Sequence, residues 1–264
     1  MKQFIGIIFM VTISEAMFGQ FPHESRTVTL NGIDMYYEVY GEGEPLLLLH
    51  GWTQSSKFWA DYIPIYAQQY KVYAIDLRGH GRTSPLTDDF TIQKTSEDIL
   101  KFMYELKLED IKAIGLSFGG LALLELAVSD PEKIESMILI GVSPSFKGGD
   151  NNDDSFSYEN LPKPFIQDLK KIHFHGEGQI KALFDANLDY QINLTDQEIE
   201  AIDSNCLIVQ GDRDEVLGID AAVELYKKMS HAELWIVPNT GHMALNGPNQ
   251  DDFLKKSLEF FNRQ

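Results

Sequence analysis

Cysteine occurs once in the 264 residues, at Cys206, and that thiol has no partner within the chain. An internal disulfide is therefore excluded, and an exported chain of this composition must hold together by its core alone. Cys206 opens the apolar run Cys206-Leu207-Ile208-Val209, a setting for core packing and not for a nucleophile. Basic residues are few: 22 Lys and Arg stand against 40 Asp and Glu, giving a formal net charge of -18. Nucleic acid and anionic membrane are poor partners for such a surface, because both repel it. No apolar run reaches the ~20 residues of a comfortable transmembrane helix. No repeat of fixed period and no low-complexity tract appears. Metal-ligand spacing is missing too: His173 and His175 alternate, but no cysteine or carboxylate follows at ligand spacing.

What is present suits one medium-sized domain carrying an insertion. The apolar fraction of 44% supplies a full core. The N-terminus has its own pattern: Met1-Lys2-Gln3, an apolar run from Phe4 to Ile13, then Ser14-Glu15-Ala16. A basic start, a short apolar stretch and small residues predict a signal peptide over 1–19, cleaved after Ala16 or Gly19. The expected location is periplasmic or secreted, with no stable membrane insertion of the mature chain. An uncleaved anchor or a buried strand is the alternative. No cysteine follows the run, so a lipoprotein anchor is not expected.

Eight strands are readable. Thr27–Leu30 and Ile33–Val39 alternate around Asn31-Gly32, a hairpin signal. Pro45–His50 is continuously apolar, as for a strand buried on both faces. Val72–Asp76, Ile111–Leu116, Ile134–Val142, Leu207–Val209 and Leu234–Val237 complete the set. Helical patterns lie over Trp59–Tyr70 (interrupted by Pro64), Thr91–Leu106, Gly119–Ser129, Ala221–Met229 and Asp251–Phe261. Alternating strands and helices predict an α/β fold with a mostly parallel eight-stranded sheet covered on both faces. From Ser143 to Asn205 no strong strand appears. This segment reads as an inserted helical cap, with Thr195-Asp196-Gln197-Glu198 as a capping box. The predicted organisation is a core of 20–142 and 206–264 interrupted by a cap of 143–205.

The chemistry centres on Gly115-Leu116-Ser117-Phe118-Gly119, a G-x-S-x-G elbow between a predicted strand and a predicted helix. The alternative is a serine that merely caps the next helix. A serine hydroxyl needs a base, and the base needs an orienting carboxylate. Both come later in the chain, in loops after strand C-terminal ends: Asp214 in Gly211-Asp212-Arg213-Asp214-Glu215, and His242 in Asn239-Thr240-Gly241-His242-Met243. Asp212 competes with Asp214, which is preferred because it lies further into its loop. Oxyanion donors are expected from the backbone N–H of Phe118 and from the loop His50-Gly51-Trp52-Thr53-Gln54, with Trp52 N–H the donor. His50 is read as an organiser of this turn and His80 as structural, and His23 lies near the leader.

Five stretches, "YGEGEPLLLLHGW", "YAIDLRGHGRTS", "AIGLSFGG", "LIVQGDRDEV" and "NTGHMA", span residues 40–244. Together they resemble the α/β-hydrolase fold family, in the branch of small serine esterases and lactonases related to enol-lactonases, non-metal haloperoxidases and pimeloyl-ester carboxylesterases. The resemblance implies Asp214 as the triad acid, His242 as the base and Trp52 as an oxyanion donor. Related epoxide hydrolases and haloalkane dehalogenases carry aspartate at the elbow, where this chain has Ser117. Trp52-Thr53-Gln54 replaces the glycine-proline-rich oxyanion motif of proline iminopeptidases, and the proline that perhydrolase-like branches keep near that turn is not there. The implied function is hydrolysis of a small-molecule ester or lactone through an acyl-enzyme, with no metal or organic cofactor. An acyltransferase on the same triad and a non-catalytic hydrolase-fold binding protein are the alternatives. Phe146, Phe156, Phe165, Phe174, Phe184 and Tyr190 are candidates for lining an apolar acyl pocket, with packing of the cap as the alternative.

Overall fold

The computed structural model describes residues 23–147, 157–186 and 191–263. The predicted leader, the acidic stretch Asp150–Asp154, Phe156 and Tyr190 lie outside the described residues. The chain opens with β1 (His23–Leu30) and β2 (Ile33–Tyr40), an antiparallel hairpin. Its two-residue turn needs positive φ at both positions, and Asn31 (φ 44°) and Gly32 (φ 77°) supply it. β3 (Glu44–Leu49) follows. The helix expected over Trp59–Tyr70 is instead a 3-10 turn, Ser56–Trp59, and a single helical turn, α1 (Ile63–Tyr66). Pro64 sits in that first turn, where its missing N–H costs nothing, and it prevents the two pieces from fusing.

β4 (Tyr70–Ile75), α2 (Ile92–Leu106), β5 (Ile111–Leu116), α3 (Phe118–Ser129) and β6 (Ile134–Ile140) come next. Thr91 caps α2 by accepting from Lys94 N, and Lys107 ends it in the left-handed region (φ 53°). After β6 the inserted segment carries β7 (Ser145–Lys147), α4 (Lys163–Ile172), α5 (Glu177–Ala186), β8 (Gln191–Asn193) and α6 (Asp196–Glu200). The chain then closes with β9 (Asn205–Gly211), α7 (Gly218–Lys228), β10 (Ala232–Val237) and α8 (Gln250–Phe261). The sheet is an eight-stranded one, in the order β1-β2-β4-β3-β5-β6-β9-β10. It is parallel from β4 to β10 and antiparallel only along β1-β2-β4.

β3 shows why both faces are covered. Leu47 and Leu49 point into one apolar cluster, with Phe102 of α2, Leu121 of α3 and Leu225 of α7. Leu46 and Leu48 point into the other, with Ile63 and Tyr66 of α1 and Phe253, Phe260 and Phe261 of α8. Where a strand is buried on both faces it must be apolar at every position, as β3 is over its buried length Leu46–Leu49. Burying each large side chain is worth roughly 1.5–3 kcal/mol.

The segment between β6 and β9 differs from its sequence reading in one respect. Its helices are present, and α6 begins with the Thr195–Glu198 capping box. It also holds two strands, β7 and β8, which pair antiparallel. At three residues each they are too short to show alternation. The aromatic candidates divide. Phe165 and Phe184 stand 6.4 Å apart, ring to ring, in a small apolar cluster of the segment itself. Phe146 packs against the main core, and Phe174 is exposed with its ring 4.4 Å from the Arg82 guanidinium carbon.

Candidate active site

The sheet register brings the ends of five strands together. Leu49 of β3 pairs with Gly115 of β5, Leu116 with Ile140 of β6, Ile140 with Val209 of β9, and Gly211 of β9 with Val237 of β10. The loops that follow carry His50-Gly51-Trp52, Ser117-Phe118, Asp214 and His242 in turn. They gather outside the C-terminal ends of the strands, where open α/β sheets form their sites.

Ser117 has φ 48° and ψ -114°, a conformation that non-glycine residues rarely adopt. Such strain costs on the order of 1–3 kcal/mol and must be imposed by the surroundings. Ser117 N donates to Ile140 O at 2.8 Å, Gly119 N donates to His50 O at 3.1 Å, and Leu121 N donates to Ser117 O at 2.8 Å. The glycines allow this close approach. A Cβ on Gly115 would meet Gly120 Cα at 2.6 Å, and one on Gly119 would meet His50 O at 2.6 Å.

Ser117 Oγ lies 2.9 Å from His242 Nε2, and His242 Nδ1 lies 2.8 Å from Asp214 Oδ2. An ionised carboxylate only accepts, so Nδ1 carries the proton and Nε2 presents its lone pair to the serine hydroxyl. The Asp214 side chain is fully buried. Burial alone raises its pKa, but the His242 hydrogen bond and charge and the N–H groups of Leu217 and Val216 outweigh that and hold it below the usual carboxylate range. Asp214 Oδ1 accepts from Val216 N (2.8 Å) and Leu217 N (3.1 Å), and Oδ2 also accepts from Gln210 Nε2 (2.8 Å). The rival carboxylate, Asp212, is exposed and accepts from Thr240 N at 3.2 Å. With Arg213 N donating to Thr240 O at 3.0 Å, it ties the acid loop to the base loop.

The two residues assigned as oxyanion donors pack on one another. The Trp52 and Phe118 rings meet edge to face, 4.8 Å between centroids. Phe118 is the first residue of α3, so its N–H lies at the positive end of the helix. Nearby histidines have fixed tautomers. His50 Nε2 accepts from Leu77 N (3.0 Å), leaving Nδ1–H to donate to Gly51 O (2.8 Å). Burial pushes His50 down to about 4, so it stays neutral, and its one lone pair is already taken by Leu77 N. His23, at the start of β1, stacks on Tyr40. His173 spends both ring nitrogens on backbone groups and His175 its Nε2, and among the described residues no group of three or more His, Cys, Asp or Glu could hold a metal ion.

Two residues at the site were not singled out from sequence. Gly141 (φ 59°) follows β6 and lies directly against the His242 ring. Its signal was a glycine immediately after a buried strand. Gln210 is the amide that donates to Asp214. Its signal was a polar residue closing the apolar run Cys206–Val209, four positions before the acid.

Residues 44–175 match the family model described as alpha/beta hydrolase fold, and the chain belongs to that family. It is an enzyme of the α/β-hydrolase class. Over 260 residues it is 25% identical to a pimeloyl-[acyl-carrier protein] methyl ester esterase of Nitrosospira multiformis, covering 86% of this chain and 98% of that one. A soluble epoxide hydrolase of Corynebacterium sp. is 31% identical over 148 residues, 56% of this chain and 49% of the other. In three dimensions it is similar to the enol-lactonase of Burkholderia xenovorans LB400, with a TM-score of 0.75, 19% identity, and coverage of 90% of this chain and 100% of that one.

Proposed function

We propose that the protein is a serine hydrolase of carboxylic esters or lactones, acting through Ser117, His242 and Asp214. The observation that carries this reading is the unbroken line from Ser117 Oγ to His242 Nε2 (2.9 Å) and from His242 Nδ1 to Asp214 Oδ2 (2.8 Å). In the first step His242 Nε2 takes the Ser117 proton as Oγ attacks the carbonyl carbon. Asp214 holds the imidazole in the required tautomer and stabilises the imidazolium. The N–H groups of Trp52 and Phe118 receive the oxyanion. His242 returns its proton to the leaving oxygen, and an acyl-enzyme remains. Water, deprotonated by His242, then releases the acid.

An esterase among the relatives, at full length, supports the ester class. Ser117 at the elbow supports an acyl and not an alkyl intermediate. Segment 143–205 is read as the cap over this site. Export is part of the reading, supported by the Met1-Lys2 start and the apolar run from Phe4 to Ile13. The test is fluorophosphonate labelling with a panel of p-nitrophenyl esters, wild type beside Ser117→Ala. Wild type is expected to be labelled and to turn over, and Ser117→Ala to do neither. A folded wild type that is neither labelled nor active overturns the reading in favour of a binding protein. Ester products in place of acid, when an alcohol is added, mark an acyltransferase.

A further inference from the structure

Gly51 to Gln54 form a tight turn, with Gln54 N donating to Gly51 O at 3.2 Å. Trp52 and Thr53 are its central residues. Thr53, at the third position, has φ 61°. A turn with positive φ there ordinarily carries glycine or asparagine. For a β-branched residue this backbone is a genuine outlier, which other contacts must enforce.

Both backbone polar groups of Thr53 end on histidines. Thr53 N donates to His80 Nε2 at 3.1 Å, so His80 Nδ1–H donates to Arg78 O at 2.8 Å. On the other side, Gly81 N donates to His173 Nδ1 at 2.9 Å, which leaves Nε2–H to donate to Thr53 O at 3.0 Å. His80 is fully buried and His173 nearly so, at 3% exposure. His173 comes from the end of α4, more than a hundred residues along the chain from the turn it grips. The same inserted segment holds Trp52 as well: the indole Nε1–H donates to Leu183 O of α5 at 3.2 Å. It is fastened in turn to the Gly79–Thr83 loop. Phe174 N donates to Gly81 O (3.0 Å), and Gln179 Nε2 reaches Gly79 O (3.0 Å) and Gly81 O (3.2 Å).

We propose that His173 is a positioning residue for the oxyanion hole: through Thr53 O it clamps the Trp52–Thr53 turn in the form that presents Trp52 N–H to the reacting carbonyl. The inserted segment is thereby a working part of the catalytic machinery. The inference rests on the serine-hydrolase reading for its kinetic consequence but not for the clamp itself. Without the donor from His173, Thr53 relaxes toward ordinary backbone and the peptides flanking Trp52 re-aim. The transition state then loses a donor while substrate binding is little changed.

Two substitutions separate the halves of the imidazole. His173→Asn keeps an acceptor near the Nδ1 position for Gly81 N and removes the donor to Thr53. His173→Gln places an amide N–H near the Nε2 position. His175→Ala is the control: it breaks the bond from His175 Nε2 to Arg82 O (3.1 Å) in the same segment without touching Thr53. In the full chain, kcat of His173→Asn on a p-nitrophenyl ester is expected to fall tenfold or more with KM within about twofold, the loss of one oxyanion donor being worth ~10²–10³ in kcat. His173→Gln recovers most of it, and His175→Ala stays within twofold of wild type. Amide exchange of the peptide spanning Gly51–Phe58 is measured in parallel, and it is expected to quicken in His173→Asn while peptides of β5 and α3 keep wild-type protection. Wild-type kcat in His173→Asn, equal losses in Asn and Gln, or unchanged exchange of the turn overturns the proposal. If wild type hydrolyses no ester, the serine-hydrolase reading fails separately, and the exchange data still decide whether His173 holds the turn.

Discussion

A Cβ placed on Gly141 would stand 2.9 Å from Cε1 and 3.0 Å from Nδ1 of His242. The end of β6 is therefore the floor on which the base rests, and only a residue without a side chain fits there. Gly141 also has φ 59° and donates its N–H to Val209 O at 3.1 Å, so it cannot retreat from the ring. Gly141→Ala is expected to lower kcat by at least tenfold by tilting His242 away from Ser117. It should also lose roughly 1 kcal/mol of stability through the left-handed backbone. Steady-state kinetics and a thermal melt check both, and wild-type kcat in this variant would show that the ring is not braced from below.

Asp214 and Asp212 are two residues apart with different tasks. Asp214→Asn removes the group that fixes the tautomer of His242, and kcat should fall on the order of 10⁴. Asp212→Asn touches only the exposed bond to Thr240 N, and kcat should stay within about tenfold. Comparable losses in the two variants would reverse the assignment of the acid.

Gln210 donates to Asp214 Oδ2, the oxygen that also faces His242 Nδ1. The amide thus fixes the orientation of the carboxylate that holds the imidazole. Without it, Asp214 loses one of the contacts that keep Oδ2 in line with His242 Nδ1. Gln210→Met is therefore expected to lower kcat several-fold with KM little changed. Wild-type kcat in this variant contradicts this account of Gln210.

Acid should destabilise the fold before it reaches the carboxylates. Burial lowers His50 and His173 to about 4, and lowers His80 well below its ordinary value. In the unfolded chain these rings bind protons near pH 6.5, so between ~6.5 and ~4 the unfolded state holds more protons than the folded one. The sign is thus a loss of stability as pH falls through that window, on the order of 3 kcal/mol for a ring displaced from 6.5 to about 4. Asp214, held below 3.8, contributes at a lower range: its stabilisation is kept above the unfolded value and is lost only as pH falls through the folded one. Net charge acts in the opposite direction, since the -18 at pH 7 shrinks toward the isoelectric point near 4.7 and relieves self-repulsion. Thermal melts from pH 7 to 4.5 decide between them: Tm should fall across the range, and a rising Tm would mean that relief of self-repulsion outweighs the buried histidines.

The sheet was legible because its first two strands alternate around Asn31-Gly32 and the others are continuous apolar runs with punctuated ends, and Ser117, Asp214 and His242 stood out as candidates because each sits in a loop directly after such a run. β7 and β8 escaped notice because three residues carry no period. The clamps on Thr53 had no local signature at all. Their partners are main-chain atoms, and any side chain reaching them from a distant segment leaves the pattern of both segments unaltered. The alternation of His173 and His175 was visible, but it reads as a metal pair missing its ligands until the fold supplies backbone groups for each ring. The cap aromatics show the same limit, because apolar character does not reveal whether Phe165 faces Phe184 or a substrate.

Cys206 offers a use that its burial makes possible. It is fully enclosed on β9, between Met137 of β6 and Ala232 of β10, and burial pushes its thiol pKa up. A thiol in that place meets no reagent until the sheet comes apart between β6 and β10. It is the chain's one cysteine, so every labelling event reports the same opening. The rate at which a maleimide or disulfide reagent consumes it is therefore a clock for the rupture of the central sheet, readable by mass in the native enzyme without adding a probe.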